Sequence, residues 1–260
     1  MLIRRLLYYF RSIFTLLTGI TNWPTVVAAF LGLPLRKPFR IRLRKTGDTF
    51  LVRNPMDVWI VKETCLDRDY ERASVPVQDG WKVVDIGAAL GDFSIDISVR
   101  HPSCVIHAYE PFPESFLLLQ ANIALNKTGN ITAYREAVGG QSGLATLDIA
   151  QATAVRHSTM SQSAHTIQVP QVTLQEIIQR LPEQECDLLK LDCEGAEYSI
   201  LCEAEPETLR RIRRIVMEYH DNVTPYSHHD LIAFLERQEF KVSCFPSTVR
   251  KGIGLLHATR

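Results

Sequence analysis

Trp81-Lys82-Val83-Val84-Asp85-Ile86-Gly87-Ala88-Ala89-Leu90-Gly91-Asp92-Phe93-Ser94 is the stretch on which the fold turns. Its first half is a short apolar run rich in β-branched residues, the pattern of a strand buried on both faces. The run stops at two glycines four positions apart, and a helical pattern follows from Asp92 or Ser94 to about Arg100. Strand, glycine turn and helix form half of a βαβ unit, and the downstream sequence repeats the alternation. Further strands are predicted over residues 104–109, 131–135, 187–191 and 213–218, with helices over 114–126 and 230–237. Thr173-Leu174-Gln175-Glu176 is a capping box, and Leu174, Ile177, Ile178 and Leu181 form one face of the helix it opens, before Pro182. This order predicts an α/β protein whose mostly parallel sheet is covered on both faces. Two final strands, 240–244 and 252–257, lack an intervening helix and are expected to pair antiparallel at an edge. Alternating stretches at 144–149 and 166–169 flank a loop rich in Ser, Thr and Gln. That loop carries His157 and Ser158 and is a candidate substrate lid.

Upstream of this body the composition changes. The chain has 260 residues, 46% hydrophobic and 22% charged, which excludes a disordered or fibrous protein. Its 29 basic and 29 acidic side chains cancel, but nine of the basic ones lie in residues 1–45, where there is no acid. Taking those nine from 29 leaves 20 basic against 29 acidic groups in the remainder, a net of −9. Residues 12–35 are 24 uncharged residues interrupted by Gly19, Asn22 and Pro24. They read as short helices packed on the domain or a partner, as an interfacial basic-flanked membrane segment, or as a span or signal. Residues 40–44 and 49–52 bracket Thr46-Gly47-Asp48 as a β-hairpin, and a lead-in helix is expected over 57–70. The expected organisation is an extension over 1–38, hairpin and lead-in helix over 39–78, and a catalytic domain over 79–260. Six scattered cysteines with no C-x-x-C pair imply a reduced, cytoplasmic protein without a disulfide framework.

In such a sheet, ligands bind beyond the carboxyl ends of the strands, near the point where strand order reverses. Gly87 and Gly91 let the backbone turn tightly there. Glu110 ends the second strand nineteen residues after Gly91, near the ~20-residue spacing at which an acid reaches a ribose hydroxyl. The glycines are spaced G-x-x-x-G rather than G-x-G-x-x-G, and Asp85 and Asp92 put negative charge where a pyrophosphate would sit. A cationic ligand with an adenosine and an amino-acid end fits better, and S-adenosylmethionine is that ligand. A bare structural turn, a non-catalytic adenosine-binding module and an NAD-dependent oxidoreductase are the competing readings.

The blocks VVDIGAALGDFS, HAYEPFPESFLLLQANIALN and DLLKLDCEGAEYSIL, in that order, resemble the FkbM-type S-adenosylmethionine-dependent methyltransferases. The most specific match is Lys190-Leu191-Asp192-Cys193-Glu194-Gly195-Ala196-Glu197 to the family's K-x-D-x-E-G-x-E. The resemblance spans about residues 40–260, including Val172-Thr173-Leu174 and Val216-Met217-Glu218-Tyr219-His220, and departs at Ala89, where the family usually has Asn. It implies a Rossmann-like class I methyltransferase fold with a seven-stranded sheet and an antiparallel last strand. It also implies that Asp85, Gly87, Ala89 and Gly91 line the methionine end of the cofactor. Glu110 would hold the ribose, Glu136 and Ala137 would flank the adenine, and Asp192 would face the methyl group.

A hydroxyl acceptor needs a base as well as positioning. Lys190, Asp192, Glu194 and Glu197 crowd the end of an apolar strand, and alternation gives Lys190 and Asp192 a common face. Asp192 is assigned the functional role and Glu197 a capping role at a helix start. His220 ends the fifth strand as a second base or a substrate contact. His228-His229-Asp230 is read as the start of a helix capped by Ser227, and no metal site is expected. The acceptor class the resemblance implies is a hydroxyl of a sugar, glycolipid or polyketide, free or glycan- or lipid-linked. No nucleic-acid reader motif is present. Residues 1–45 leave peripheral membrane contact open, and homo-oligomerisation stays open too.

Overall fold

The computed structural model describes residues 2–73, 76–148, 166–221, 223–247 and 249–260. Helices α1 (Leu2–Gly19) and α2 (Trp23–Phe30) precede a hairpin of β1 (Phe39–Arg42) and β2 (Thr49–Val52). Next come α3 (Pro55–Val61), a π-helical turn (Lys62–Leu66) and α4 (Asp69–Ala73). The body continues with β3 (Lys82–Ile86), α5 (Asp92–Arg100), β4 (Val105–Tyr109), α6 (Pro113–Asn126) and β5 (Ile131–Tyr134). After these run β6 (Ala137–Val138), β7 (Gly143–Asp148), β8 (Thr166–Val172), α7 (Leu174–Gln179) and β9 (Leu188–Leu191). The remaining elements are α8 (Glu197–Cys202), α9 (Pro206–Arg210), β10 (Arg214–His220), α10 (His228–Arg237), β11 (Lys241–Pro246) and β12 (Ile253–Thr259).

Seven strands form one sheet in the order β11-β12-β10-β9-β3-β4-β5. The links among β10, β9, β3, β4 and β5 are parallel, and β12 runs antiparallel to both its neighbours. This is the expected Rossmann-like α/β architecture. The final two strands do pair antiparallel, but β12 is interior and β11 holds the edge. All seven residues of β12 find partners on β10, from Arg214↔Thr259 to His220↔Ile253. The alternating stretches at 143–172 lie outside this sheet and join β6 in a separate three-stranded one.

Local chemistry explains most element ends. The Thr173 capping box is formed, with its hydroxyl accepting from the Glu176 amide and the Glu176 carboxylate accepting from the Thr173 amide. Ser227 and Asp230 form a second box, so α10 starts at His228 rather than at 230. The predicted helix over 57–70 is broken by the π turn. There Lys62, 1% exposed, points inward, its ammonium 2.6 Å from Asp67 and 2.8 Å from the Ser12 hydroxyl. A buried ammonium is tolerated only when paired in this way.

The front of the chain is fastened to the body. Leu43 leaves the hairpin ladder to bridge Ile20, and the Thr21 amide donates to the Arg42 carbonyl. Leu16, Ile20, Val26, Ile41, Phe50 and Val58 share one core with Leu90 and Ile95 beside the glycine turn and with Leu118 of α6. Apolar packing therefore runs straight across the expected 38/39 boundary, each fully buried side chain contributing about 1.5–3 kcal/mol. Among the described residues no helix is long and apolar enough to cross a membrane, and the six cysteines are free.

Candidate active site

Strand order reverses at β3, with β4 on one side and β9 on the other, so the crevice opens beyond Ile86. The turn there needs glycine for two reasons. Gly87 has φ +77°, and a Cβ on it would lie 1.9 Å from the Asp192 carbonyl oxygen. Gly91 has φ +89°, and a Cβ there would meet Leu119 Cδ1 at 2.5 Å. Ala89 also has a positive φ, +47°. Asn tolerates this left-handed region better than Ala, which gives a backbone reason for the residue usual in the family.

Asp85 is completely buried, and its carboxylate is taken up by the protein itself. Ser94 Oγ donates to Oδ2 at 2.7 Å, and Lys190 Nζ lies 3.0 Å from Oδ1. Lys190, 4% exposed, also donates to the Gly87 carbonyl at 2.8 Å. Burial works against its ammonium, but Asp85, Asp192 and Asp92 outweigh it and hold the pKa above the usual lysine range. The Asp85 carboxylate, expected to line the methionine end of the cofactor, is thus neutralised by Lys190, and the pair locks β3 to β9 under the turn. Asp92, at the first turn of α5, is pushed up to about 6 by burial, against Lys190 and a Thr64 hydrogen bond.

Glu110 ends β4 facing the turn. Its two oxygens accept the amides of Ala89 at 2.8 Å and Phe112 at 2.9 Å. Burial dominates over these two bonds, and its pKa rises from 4.5 to about 7. Each oxygen keeps a free lone pair. Glu136 and Ala137 follow β5, next to β4. The Glu136 carboxylate is gripped by Arg180 at 2.5 Å, and Ala137 is buried in β6 opposite Gln171. The Glu136 side chain is thus committed to Arg180, which leaves the backbone of the pair as its simplest contact for a ligand.

Asp192 follows β9, its Oδ2 accepting the Tyr70 hydroxyl at 2.8 Å and lying 4.0 Å from Lys190 Nζ. Its side chain is 28% exposed, in contrast to the sealed Asp85. The following turn passes through positive φ at Glu194 and Gly195. Buried Glu197 accepts the amides of Cys193 at 2.7 Å and Gly195 at 2.8 Å, the capping role expected of it. Beside this turn lies His220, 4% exposed, with Glu194, Glu197 and Glu218 at 3.5, 3.6 and 3.7 Å from its ring nitrogens. Burial disfavours the imidazolium, but the carboxylates outweigh it and raise the pKa to about 9. A ring raised in this way is a donor and a positive charge, which suits the substrate contact expected of His220 better than the second base. Burial, then the Asp192 charge, pushes Glu218 up to about 8. Asp192, Glu218 and His220 offer ligand atoms within 4.8 Å of one another and are the group among the described residues that could hold a metal ion.

The structure thus joins Asp85, Gly87, Lys190 and Asp192 into one unit, with Glu194, Glu218 and His220 on one flank and Ala89, Gly91 and Glu110 on the other. Tyr70 and Glu218 were not singled out by sequence. Tyr70 is 122 residues from its partner and carries no motif, while Glu218 stood next to His220 as part of a strand. His228 packs rather than ligates, bonding Asp221 at 2.7 Å and stacking on Tyr219. His157 and Ser158 lie outside the described residues.

Residues 85–242 match the family described as the Methyltransferase FkbM domain. Methyltransferase 1 of Beauveria bassiana (strain ARSEF 2860) is 27% identical over 206 residues, covering 70% of this chain and 82% of that protein. The 31-O-demethyl-FK506 methyltransferase FkbM of Streptomyces tacrolimicus is 26% identical over 193 residues, 63% of this chain and 74% of that one. The crystal structure of Methyltransferase FkbM from Methylobacillus flagellatus KT shares the fold, with a TM-score of 0.50 and 15% identity. That likeness covers 77% of this chain and 53% of the other. The matched span holds both the glycine turn and the acidic strand end that the fold brings face to face, and the chain belongs to the FkbM methyltransferase family.

Proposed function

We propose that the protein transfers the methyl group of S-adenosylmethionine to a hydroxyl of a sugar, glycolipid or polyketide-type acceptor. The observation that carries this reading is the contrast between two carboxylates on either side of the glycine turn. Glu110 is buried and held only by backbone amides, with lone pairs to spare for two ribose hydroxyls. Asp192 is part-exposed, oriented by Tyr70 and biased by Lys190. Around them the Asp192 and Glu194 carboxylates make an acidic rim suited to a cationic ligand, so the residues present fit the cofactor.

When bound, the cofactor supplies a methyl group on a sulfonium, which already carries a good leaving group. The protein is left with positioning and one proton. The turn from Gly87 to Gly91 presents backbone to the amino-acid end, Glu110 fixes the ribose, and the backbone at Glu136 and Ala137 borders the base. Lys190 neutralises Asp85 and keeps the β3 and β9 ends together, which makes it a positioning residue. Asp192 takes the acceptor's proton. The Tyr70 hydroxyl fixes the Asp192 carboxylate, and protonated His220 donates toward the same cleft. The name of the Streptomyces relative, which specifies methylation at an oxygen, supports an oxygen acceptor.

Calorimetry with S-adenosylmethionine, its demethylated product and NAD tests the cofactor, and tight NAD binding without the other two overturns it. Incubation with labelled cofactor and lipid, glycan and small-molecule fractions tests the acceptor. Asp192→Ala is expected to abolish transfer to whichever acceptor is labelled; unchanged transfer removes the base assignment.

A further inference from the structure

We propose that the face formed by α1, α2 and the outer side of the hairpin docks on an anionic bilayer surface. The inference is independent of the methyl-transfer reading. Helix α1 has two apolar sides. Ser12, Leu16 and, just beyond the helix, Ile20 recur every four residues on the side packed against the body, each at most 6% exposed. Leu6, Phe10, Ile13 and Phe14 lie on the solvent side and are 55–74% exposed. Trp23, Phe30, Leu31 and Leu33 extend the exposed apolar surface through α2 and the segment after it. Of the fifteen exposed large hydrophobics among the described residues, ten fall within the first 33. Such a concentration marks an interaction surface rather than ordinary scatter.

Charge decides what covers it. The same 45 residues carry nine basic side chains and no acid, and Arg36, Lys37, Arg40, Arg42, Arg44 and Lys45 are exposed beside the apolar face. A second copy on this face would bring like charge against like. A lipid surface bearing phosphate headgroups meets the basic rim and accepts the apolar side chains. The geometry is interfacial, since no described helix is long and apolar enough to cross. Placement adds a further consequence. Arg5 Nη2 donates to the Val249 carbonyl at 2.7 Å, and the neighbouring Arg250 acts electrostatically on Glu194 and Glu218. This contact ties the start of α1 to the segment between β11 and β12.

The test is co-sedimentation of the full chain with vesicles of phosphatidylcholine alone and of phosphatidylcholine mixed with phosphatidylglycerol. Binding to the mixed vesicles is expected, with at least about tenfold less on phosphatidylcholine alone or in concentrated salt. Phe10→Ser/Phe14→Ser and Arg36→Glu/Lys37→Glu are each expected to weaken it at least about tenfold while cofactor affinity stays unchanged. Vesicle binding by a protein that fails to bind S-adenosylmethionine supports the docking surface and removes only the catalytic reading. No sedimentation with either vesicle overturns the proposal, as does equal binding by both variants. A dimer in light scattering that Phe10→Ser/Phe14→Ser dissociates, without vesicle binding, assigns the face to a second copy and overturns it too.

Discussion

Replacing Glu110 by glutamine is expected to remove a pH dependence that works in opposite directions on stability and on cofactor affinity. Burial raises the carboxyl from 4.5 to about 7, so the folded protein keeps a proton that the unfolded chain releases. Stability falls with pH wherever the folded state binds more protons, and here that window lies between about 4.5 and 7. A shift of about 2.5 units corresponds to about 3.4 kcal/mol, of which about 2.5 kcal/mol is lost between about pH 5 and pH 8. Asp92 and Asp96, also raised to about 6, add slopes of the same sign, but both are present in wild type and variant and cancel in the comparison. Urea unfolding of both proteins at the two pH values is the assay. The stability of wild type relative to Glu110→Gln should drop by about 2.5 kcal/mol on going up in pH. Affinity moves the other way, because only the ionised carboxylate accepts two ribose hydroxyls: calorimetric affinity of wild type should rise through about pH 7, and that of the variant should not. Parallel unfolding curves for the two proteins would refute the reasoning, since they would mean that Glu110 titrates alike in the folded and unfolded states.

Gly87→Ala drives a Cβ into the Asp192 carbonyl at 1.9 Å and adds left-handed strain. Urea unfolding should show a loss of more than about 3 kcal/mol, with cofactor affinity lost as well. Ala89→Asn relieves a non-glycine residue at φ +47°, and a gain of about 0.5–1 kcal/mol in thermal unfolding is expected. Tyr70→Phe takes a hydrogen bond from Asp192, worth about 1.5–3 kcal/mol for a charged partner. It should lower kcat about tenfold or more while calorimetric cofactor affinity stays put. Chelation by EDTA should leave methyl transfer within about twofold, because Lys190 and protonated His220 already supply positive charge to the cluster of Asp192 and Glu218. Activity lost to EDTA and restored by magnesium would transfer the proton-removing role from Asp192 to a metal.

The glycine turn, Glu110 and the acidic end of β9 were legible in the sequence because each is a local signal: a strand that stops at glycine, an acid at a set spacing, charges closing an apolar run. Their reasons were not local. Gly87 is required by a carbonyl 105 positions away, which meets it because β3 and β9 pair in register at Ile86↔Leu191. The same register puts Asp85 opposite Lys190, so a carboxylate read as facing ligand is instead neutralised from the next strand. His220 was visible as a strand-end histidine, but its protonation depends on three glutamates from two strand ends. The sequence offers a single lead-in helix over 57–70. It breaks in the structure around Lys62, whose ammonium partners, Ser12 and Asp67, come from either side along the chain.

The interior position of β12 has a consequence for the order of assembly. Because β12 follows β11 in the chain yet lies between it and β10, β11 has no strand to pair with until residues 253–259 are in place. Until then one edge of β10, the strand bearing Glu218 and His220, also stays open along its length. The strand end that carries Glu218 and His220 therefore gains its second neighbour only from β12, the strand that follows β11 in the chain.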